Sequence, residues 1–171
     1  YFSYFQNFEM VRFTIQQDNF LFYIFLAAVS QIFFTFLLLY SFQFSNFMIG
    51  TTLSKTEVVQ IAILEVIILH DRFNFLTITG IVISTIGVFI FSTKDRNVIF
   101  KNLLSRSTLV GLACGFLLAL SVVAFRAAAL SLIDLKSNFE MALSTLFFGV
   151  SIQTFILTIY IFLFEKEQFK K

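Results

Sequence analysis

Long apolar runs separated by short polar interruptions dominate the chain. Five runs reach the ~20 residues that a helix needs to cross a bilayer: Phe20–Phe42, Phe47–Leu69, Phe75–Thr93, Leu109–Ile133 and Met141–Phe164. Each is too long for a strand, and none alternates with the period of two that marks a membrane barrel. The pattern predicts an all-α fold, a polytopic membrane bundle with about five transmembrane helices. Connections at 43–46, 70–74 and 134–138 are short, which makes neighbouring helices antiparallel. Only Lys94–Thr108, "KDRNVIFKNLLSRST", is long, and it is the natural boundary between two structural units. Ser137 or Asn138 can cap the last helix, with Glu140 in its first turn.

The second run breaks the apolar rule. It reads "TTLSKTEVVQIAILEVIIL" over residues 51–69 and carries Lys55, Thr56, Glu57, Gln60 and Glu65. Arg126 is the other cation inside a predicted span. A Lys or Arg at mid-membrane costs about 2.5–3.5 kcal/mol, so this pair left unpartnered would cost roughly 5–7 kcal/mol. Lys55 is eight residues past Phe47, about 12 Å along a helix and too deep for easy snorkelling, whereas Arg126 is about 10 Å from the end of its run.

At 100° per residue, Lys55 and Glu57 point to nearly opposite sides of one helix and cannot pair with each other. Glu57, Ile61 and Glu65 share one face; Thr52, Lys55, Thr56 and Val59 share another, with Gln60 adjoining. Two readings follow. The charges line a cavity or pathway, as intramembrane ionisable groups usually do, or Glu57 or Glu65 pairs with Arg126 and merely holds helices together. Ser30, Gln31, Thr35, Gln153 and Thr154 read as sources of interhelical hydrogen bonds.

Small residues mark packing faces: Gly80, Ser84 and Gly87 in the third span, and Gly111, Gly115 and Ala119 in the fourth. Such spacing lets backbones approach closely in lipid. Packing within the chain is the first use of these faces, and a homodimer the alternative.

Composition agrees with the membrane reading. Of 171 residues, 58% are hydrophobic and only 13% are charged, about half the charge of a soluble domain. Phe occurs 27 times and Trp and Pro not at all, a bias spread over every apolar run. The net charge of +2, with no basic stripe, argues against nucleic acid. Cys114 has no Cys partner for a disulfide or metal motif, and His70 beside Asp71 reads as an interfacial polar residue. No nucleophile elbow, zinc-protease, P-loop or dinucleotide motif occurs, so neither catalytic nor metal residues nor a cofactor are expected. The first residues lack the basic leader of a signal peptide, and the start at Tyr1 reads as a fragment of a longer protein.

For orientation, seven Lys/Arg residues fall in the 94–108 loop and the tail, against three (Arg12, Arg72, Lys136) on the other side. The positive-inside rule places the loop and tail in the cytoplasm.

Residues 47–92, "FMIGTTLSKTEVVQIAILEVIILHDRFNFLTITGIVISTIGVFIFS", resemble the last two helices of the first repeat in EamA-type transporters of the drug/metabolite transporter superfamily. Lys55-Thr56-Glu57 looks like one bacterial branch of that family. "LVGLACGFLLALSVVAFRAAALSL", residues 109–132, resembles the opening helix of the second repeat, and "TLFFGVSIQTFILTIYIFLFEKE", residues 145–167, the helix after it. The family's Gly-Glu stands here as His70-Asp71, and the proline common before the polar helix is absent.

The resemblance implies helices three to seven of a ten-helix inverted-repeat transporter. Residues 1–93 would end the first repeat, 94–108 link the repeats, and 109–171 begin the second. It implies a multi-pass protein of the bacterial cytoplasmic (inner) membrane that moves a small solute, with a coupling proton or ion. On this reading Lys55, Thr56, Glu57, Gln60 and Glu65 line the pathway and Arg126 is a counter-charge. Its partners are then the lipid bilayer and a small-molecule substrate. The family's usual topology places the 94–108 loop outside, opposite to the charge count. A non-transporting membrane assembly protein is the rival function.

Overall fold

The computed structural model describes residues 18–41, 56–70, 74–92, 106–132 and 137–164. They form α1 (Asp18–Ser41), α2 (Glu57–Leu64) running into a π turn (Glu65–Leu69), α3 (Phe75–Ser92), α4 (Arg106–Leu130) and α5 (Asn138–Phe164). Among the described residues there is no strand. The fold is the expected all-α membrane bundle. Helical stretches at Asn19–Ser41, Leu109–Leu130 and Asn138–Phe164 are long and apolar enough to span a bilayer, and Phe75–Gly87 adds a shorter apolar one. Lys55 and the rest of 42–55 lie outside the described residues, as do Asp71, Arg72, 93–105 and 133–136.

Local chemistry sets the helix ends. α5 opens with a reciprocal capping box: the Glu140 N–H donates to Ser137 Oγ at 3.4 Å, while the Ser137 N–H donates to Glu140 Oε2 at 3.1 Å. Ser137 is therefore the cap, rather than Asn138. α3 opens on Asn74, whose Oδ1 accepts the Phe75 N–H at 2.7 Å. α4 begins at Arg106, so Arg106–Thr108 belong to its first turn rather than to the preceding loop.

Several hydroxyls turn back onto their own helix. Thr35 donates to the Gln31 carbonyl at 2.9 Å, Thr79 to Phe75, Thr85 to Ile81 and Thr145 to Met141. Thr35 thus serves its own helix instead of the interhelical bond expected of it. Back-bonding to i−4 satisfies a hydroxyl where lipid offers no partner.

The described residues fall into two packing units. The first contains α1 up to Val29, α4 from Ala124, and α5. Its core is Phe20, Ile24, Ala128, Leu132 and Met141. The Phe20 ring meets Phe148 edge-on, with centroids 5.6 Å apart and planes at 80°, a favoured aromatic geometry. α5 buries one stripe, Met141, Thr145 and Gly149, at four-residue spacing. Its other faces carry exposed Phe147, Phe155 and Phe162, the surface that lipid covers.

The second unit runs from Ser30 to Val123. Here α2 packs against α3, leaving a shallow, wholly apolar groove of about 380 Å³ lined by residues such as Ile63, Val66, Ile78 and Val82. On α4, Gly111, Cys114, Gly115 and Ala119 are buried. On α3, Gly80, Ser84 and Gly87 are exposed, and no atom lies within 4 Å of where a Cβ would sit on either glycine.

Candidate functional site

The polar residues of the second span gather on α2, inside the second packing unit. Thr56 precedes the helix with φ −68° and ψ −4°, and its hydroxyl makes no cap to the backbone. Instead Thr56 Oγ1 accepts a hydrogen bond from Gln60 Nε2 at 3.1 Å. The backbone of this turn is occupied, since the Val59 and Gln60 N–H groups both donate to the Thr56 carbonyl, at 3.1 and 3.2 Å. Gln60 Oε1 is buried and has no hydrogen-bond partner among the described residues.

The exposure of α2 and its π turn is not that of a soluble helix. Ile63, Val66 and Ile67 are 54%, 46% and 61% exposed, whereas Thr56, Glu57, Gln60 and Glu65 are all half-buried. A soluble helix would show its carboxylates and hide its isoleucines. Val58, Val59, Ile61, Ala62 and Leu64 are half-buried too, so the helix keeps its polar and most of its apolar side chains partly covered and exposes Ile63, with Val66 and Ile67 in the π turn.

Glu65 opens the π turn, and its N–H is shared between the Ile61 and Ala62 carbonyls. Glu57, Ile61 and Glu65 keep their common face through the α portion. Beyond Glu65, the wider winding takes Val66–Leu69 off the 3.6-residue period. Nothing in "EVIIL", which lacks Gly and Pro, signals this change. Arg126 lies on α4 in the first packing unit and is exposed. Thus Thr56, Glu57, Gln60 and Glu65 come together on one element, Arg126 stands on another, and Lys55 is outside the described residues. The described residues contain no group of three or more His, Cys, Asp and Glu able to hold a metal ion.

Comparison with known families matches residues 1–93 to the EamA-like transporter family. That match covers more than half of the 171 residues. The chain belongs to the EamA-like transporter family. It is therefore a multi-pass integral membrane protein of the drug/metabolite transporter superfamily, a group of transporters that are generally not enzymes. No curated protein and no solved structure matches the chain. All the candidate polar residues of α2 lie within the matched segment; Arg126 lies beyond it.

This EamA-like chain ends its π turn at His70 with φ 52° and ψ 28°, the left-handed region. Glycine enters this region freely, whereas an L side chain there meets the following carbonyl at a cost of about 1–2 kcal/mol. Glycine's greater chain entropy in the unfolded state offsets part of that gain, by about 0.5–1 kcal/mol. His70→Gly is therefore expected to stabilise the protein by up to about 1 kcal/mol. Thermal unfolding in detergent checks this, and a lowered midpoint would mean that the imidazole makes a contact worth more than the strain.

Proposed function

We propose that this protein is a secondary transporter moving a small solute across the bacterial cytoplasmic membrane by alternating access. Inverted repeats in such proteins build a mid-membrane site that opens to each side in turn. In this reading residues 1–93 end the first repeat, 94–108 join the repeats and 109–171 begin the second. Lys55, Thr56, Glu57, Gln60 and Glu65 line or support the pathway, with a coupling proton or ion taken up at Glu57 or Glu65. Arg126 supplies counter-charge. Gly111, Gly115 and Ala119 on α4 provide close helix packing, whereas Gly80, Ser84 and Gly87 on α3, expected to do the same, lie exposed.

The observation that carries this reading is the set of polar residues that α2 and its π turn keep half-buried within the segment matched to the family. Thr56, Glu57, Gln60 and Glu65 are all partly covered, while Ile63, Val66 and Ile67 are exposed. Withdrawing polar groups from lipid has a use when they face a pathway.

Counterflow in proteoliposomes made from the full-length transporter tests the function. Saturable exchange of a small solute, absent from protein-free vesicles, is the expected result. If a broad solute screen yields no exchange, and replacing Glu65 and Arg126 together by apolar residues leaves every phenotype intact, the protein is an assembly component whose charges only pair helices.

A further inference from the structure

We propose that Gln60 presents a hydrogen-bond acceptor to the transported solute, and that the solute carries an ammonium group bearing N–H donors. The inference rests on the transport reading above and names the chemistry of its substrate.

A glutamine amide has two N–H donors and a carbonyl oxygen with two lone pairs. Thr56 Oγ1 accepts from the nitrogen end at 3.1 Å, which fixes the amide against its own helix. The oxygen is buried and has no partner among the described residues. The neighbouring backbone N–H groups of Val59 and Gln60 are committed to the Thr56 carbonyl, and lipid has no donor to offer. A buried acceptor without a donor is disfavoured far more than an apolar side chain of the same shape. None of the described residues supplies its donor, and on this proposal the solute does.

Glu57 defines the sign of that donor. It precedes Gln60 by three residues, a spacing that puts Cβ atoms on the helix surface about 5–6 Å apart. With Glu57 ionised, the two groups are a carboxylate and an amide oxygen, acceptors only. An anionic solute meets lone pairs on both sides, and an apolar one leaves both without donors. A divalent metal ion is the weaker fit, because the described residues hold no cluster of three or more ligating side chains. A primary ammonium brings a positive charge, three N–H donors and no acceptor, and so matches both groups.

Thermal stabilisation of the full-length protein in detergent, with four aromatic probes of similar size, separates the alternatives. Benzylammonium is expected to raise the unfolding midpoint of the wild type. Benzyltrimethylammonium, which has the charge but no N–H donor, benzyl alcohol and phenylacetate are expected to be weaker by about tenfold or more, the worth of a hydrogen bond to a charged group. Gln60→Leu should weaken benzylammonium by the same factor without lowering its own midpoint, whereas Gln60→Glu, which keeps an acceptor, should bind at least as tightly as wild type. Equal binding of the two cations, preference for phenylacetate, no stabilisation by any probe, or an unaltered Gln60→Leu variant would each overturn the proposal. Counterflow separates this from the broader reading. Saturable flux of other solutes that ammonium compounds do not inhibit rejects the Gln60 assignment and keeps transport. Gln60-dependent ammonium binding with no flux of any solute rejects transport itself.

Discussion

Glu57→Gln, introduced into the full-length transporter, is expected to abolish solute exchange while leaving membrane insertion and folding intact. Glu57 is the first residue of α2, half-buried beside Thr56 and one turn before Gln60. The substitution keeps the shape and the hydrogen-bonding reach of the side chain and removes only its ability to carry charge or a proton. A role in helix packing would survive that change. A role in binding a cation or carrying a coupling proton would not. The loss should approach two orders of magnitude in flux, the upper end of what one charge-assisted hydrogen bond contributes. Counterflow in proteoliposomes measures it, with expression level and thermal midpoint as controls and Glu57→Asp as the variant that retains partial activity. Wild-type flux from Glu57→Gln removes this carboxyl group from the mechanism.

The second large effect is expected at Gly149, in the first packing unit. A Cβ at this position would sit 2.5 Å from Phe125 Cε1, 3.0 Å from Phe125 Cζ and 3.5 Å from Ile24 Cδ1. The Phe125 ring lies directly on the α5 backbone, and only a glycine permits it. Gly149→Leu forces four carbons into that contact, so either the ring leaves its place or α5 moves from Phe20, Ile24 and Ala128. Overpacking of this kind costs typically about 1–3 kcal/mol. Elsewhere in a helix, replacing glycine with a better helix former is favourable by up to about 1 kcal/mol, so the sign alone is diagnostic. Unfolding in detergent should show a strongly lowered midpoint, partly restored by Phe125→Ala in the same chain through a coupling between contacting residues. A wild-type midpoint for Gly149→Leu would mean that Phe125 does not pack there.

The spans were legible because a bilayer imposes one rule on every segment that crosses it. Runs expected at Phe20–Phe42 and Met141–Phe164 emerge as helices Asp18–Ser41 and Asn138–Phe164. The small extensions belong to polar end residues such as the Ser137–Glu140 box, which hydropathy does not weigh. Polar residues on α2 were legible for the same reason, since anything ionisable stands out in an apolar run. The π turn was not, because "EVIIL" suits an α-helix equally well by composition. Neither was the left-handed conformation of His70, since no glycine marks that turn in the sequence. Gly149 escaped notice because Met141 and Gln153, in the same four-residue series, are not small, so no long stripe announces it.

By itself, then, the sequence determined that this chain is a helical membrane protein, roughly where its helices run, and which side chains are too polar to lie in lipid unattended. Tertiary structure alone decided which faces are buried. It chose Gly111, Gly115 and Ala119 on α4 over Gly80 and Gly87 on α3 for burial, seated Phe125 on Gly149, and left Gln60 Oε1 without a donor among the described residues. The physical reason lies in the solvent. Lipid tails are as apolar as a protein interior, so hydrophobicity drives a helix into the membrane but cannot tell its packed face from its lipid face. That choice rests on shape and on hydrogen bonds between segments far apart in the chain, neither of which a run of apolar letters contains.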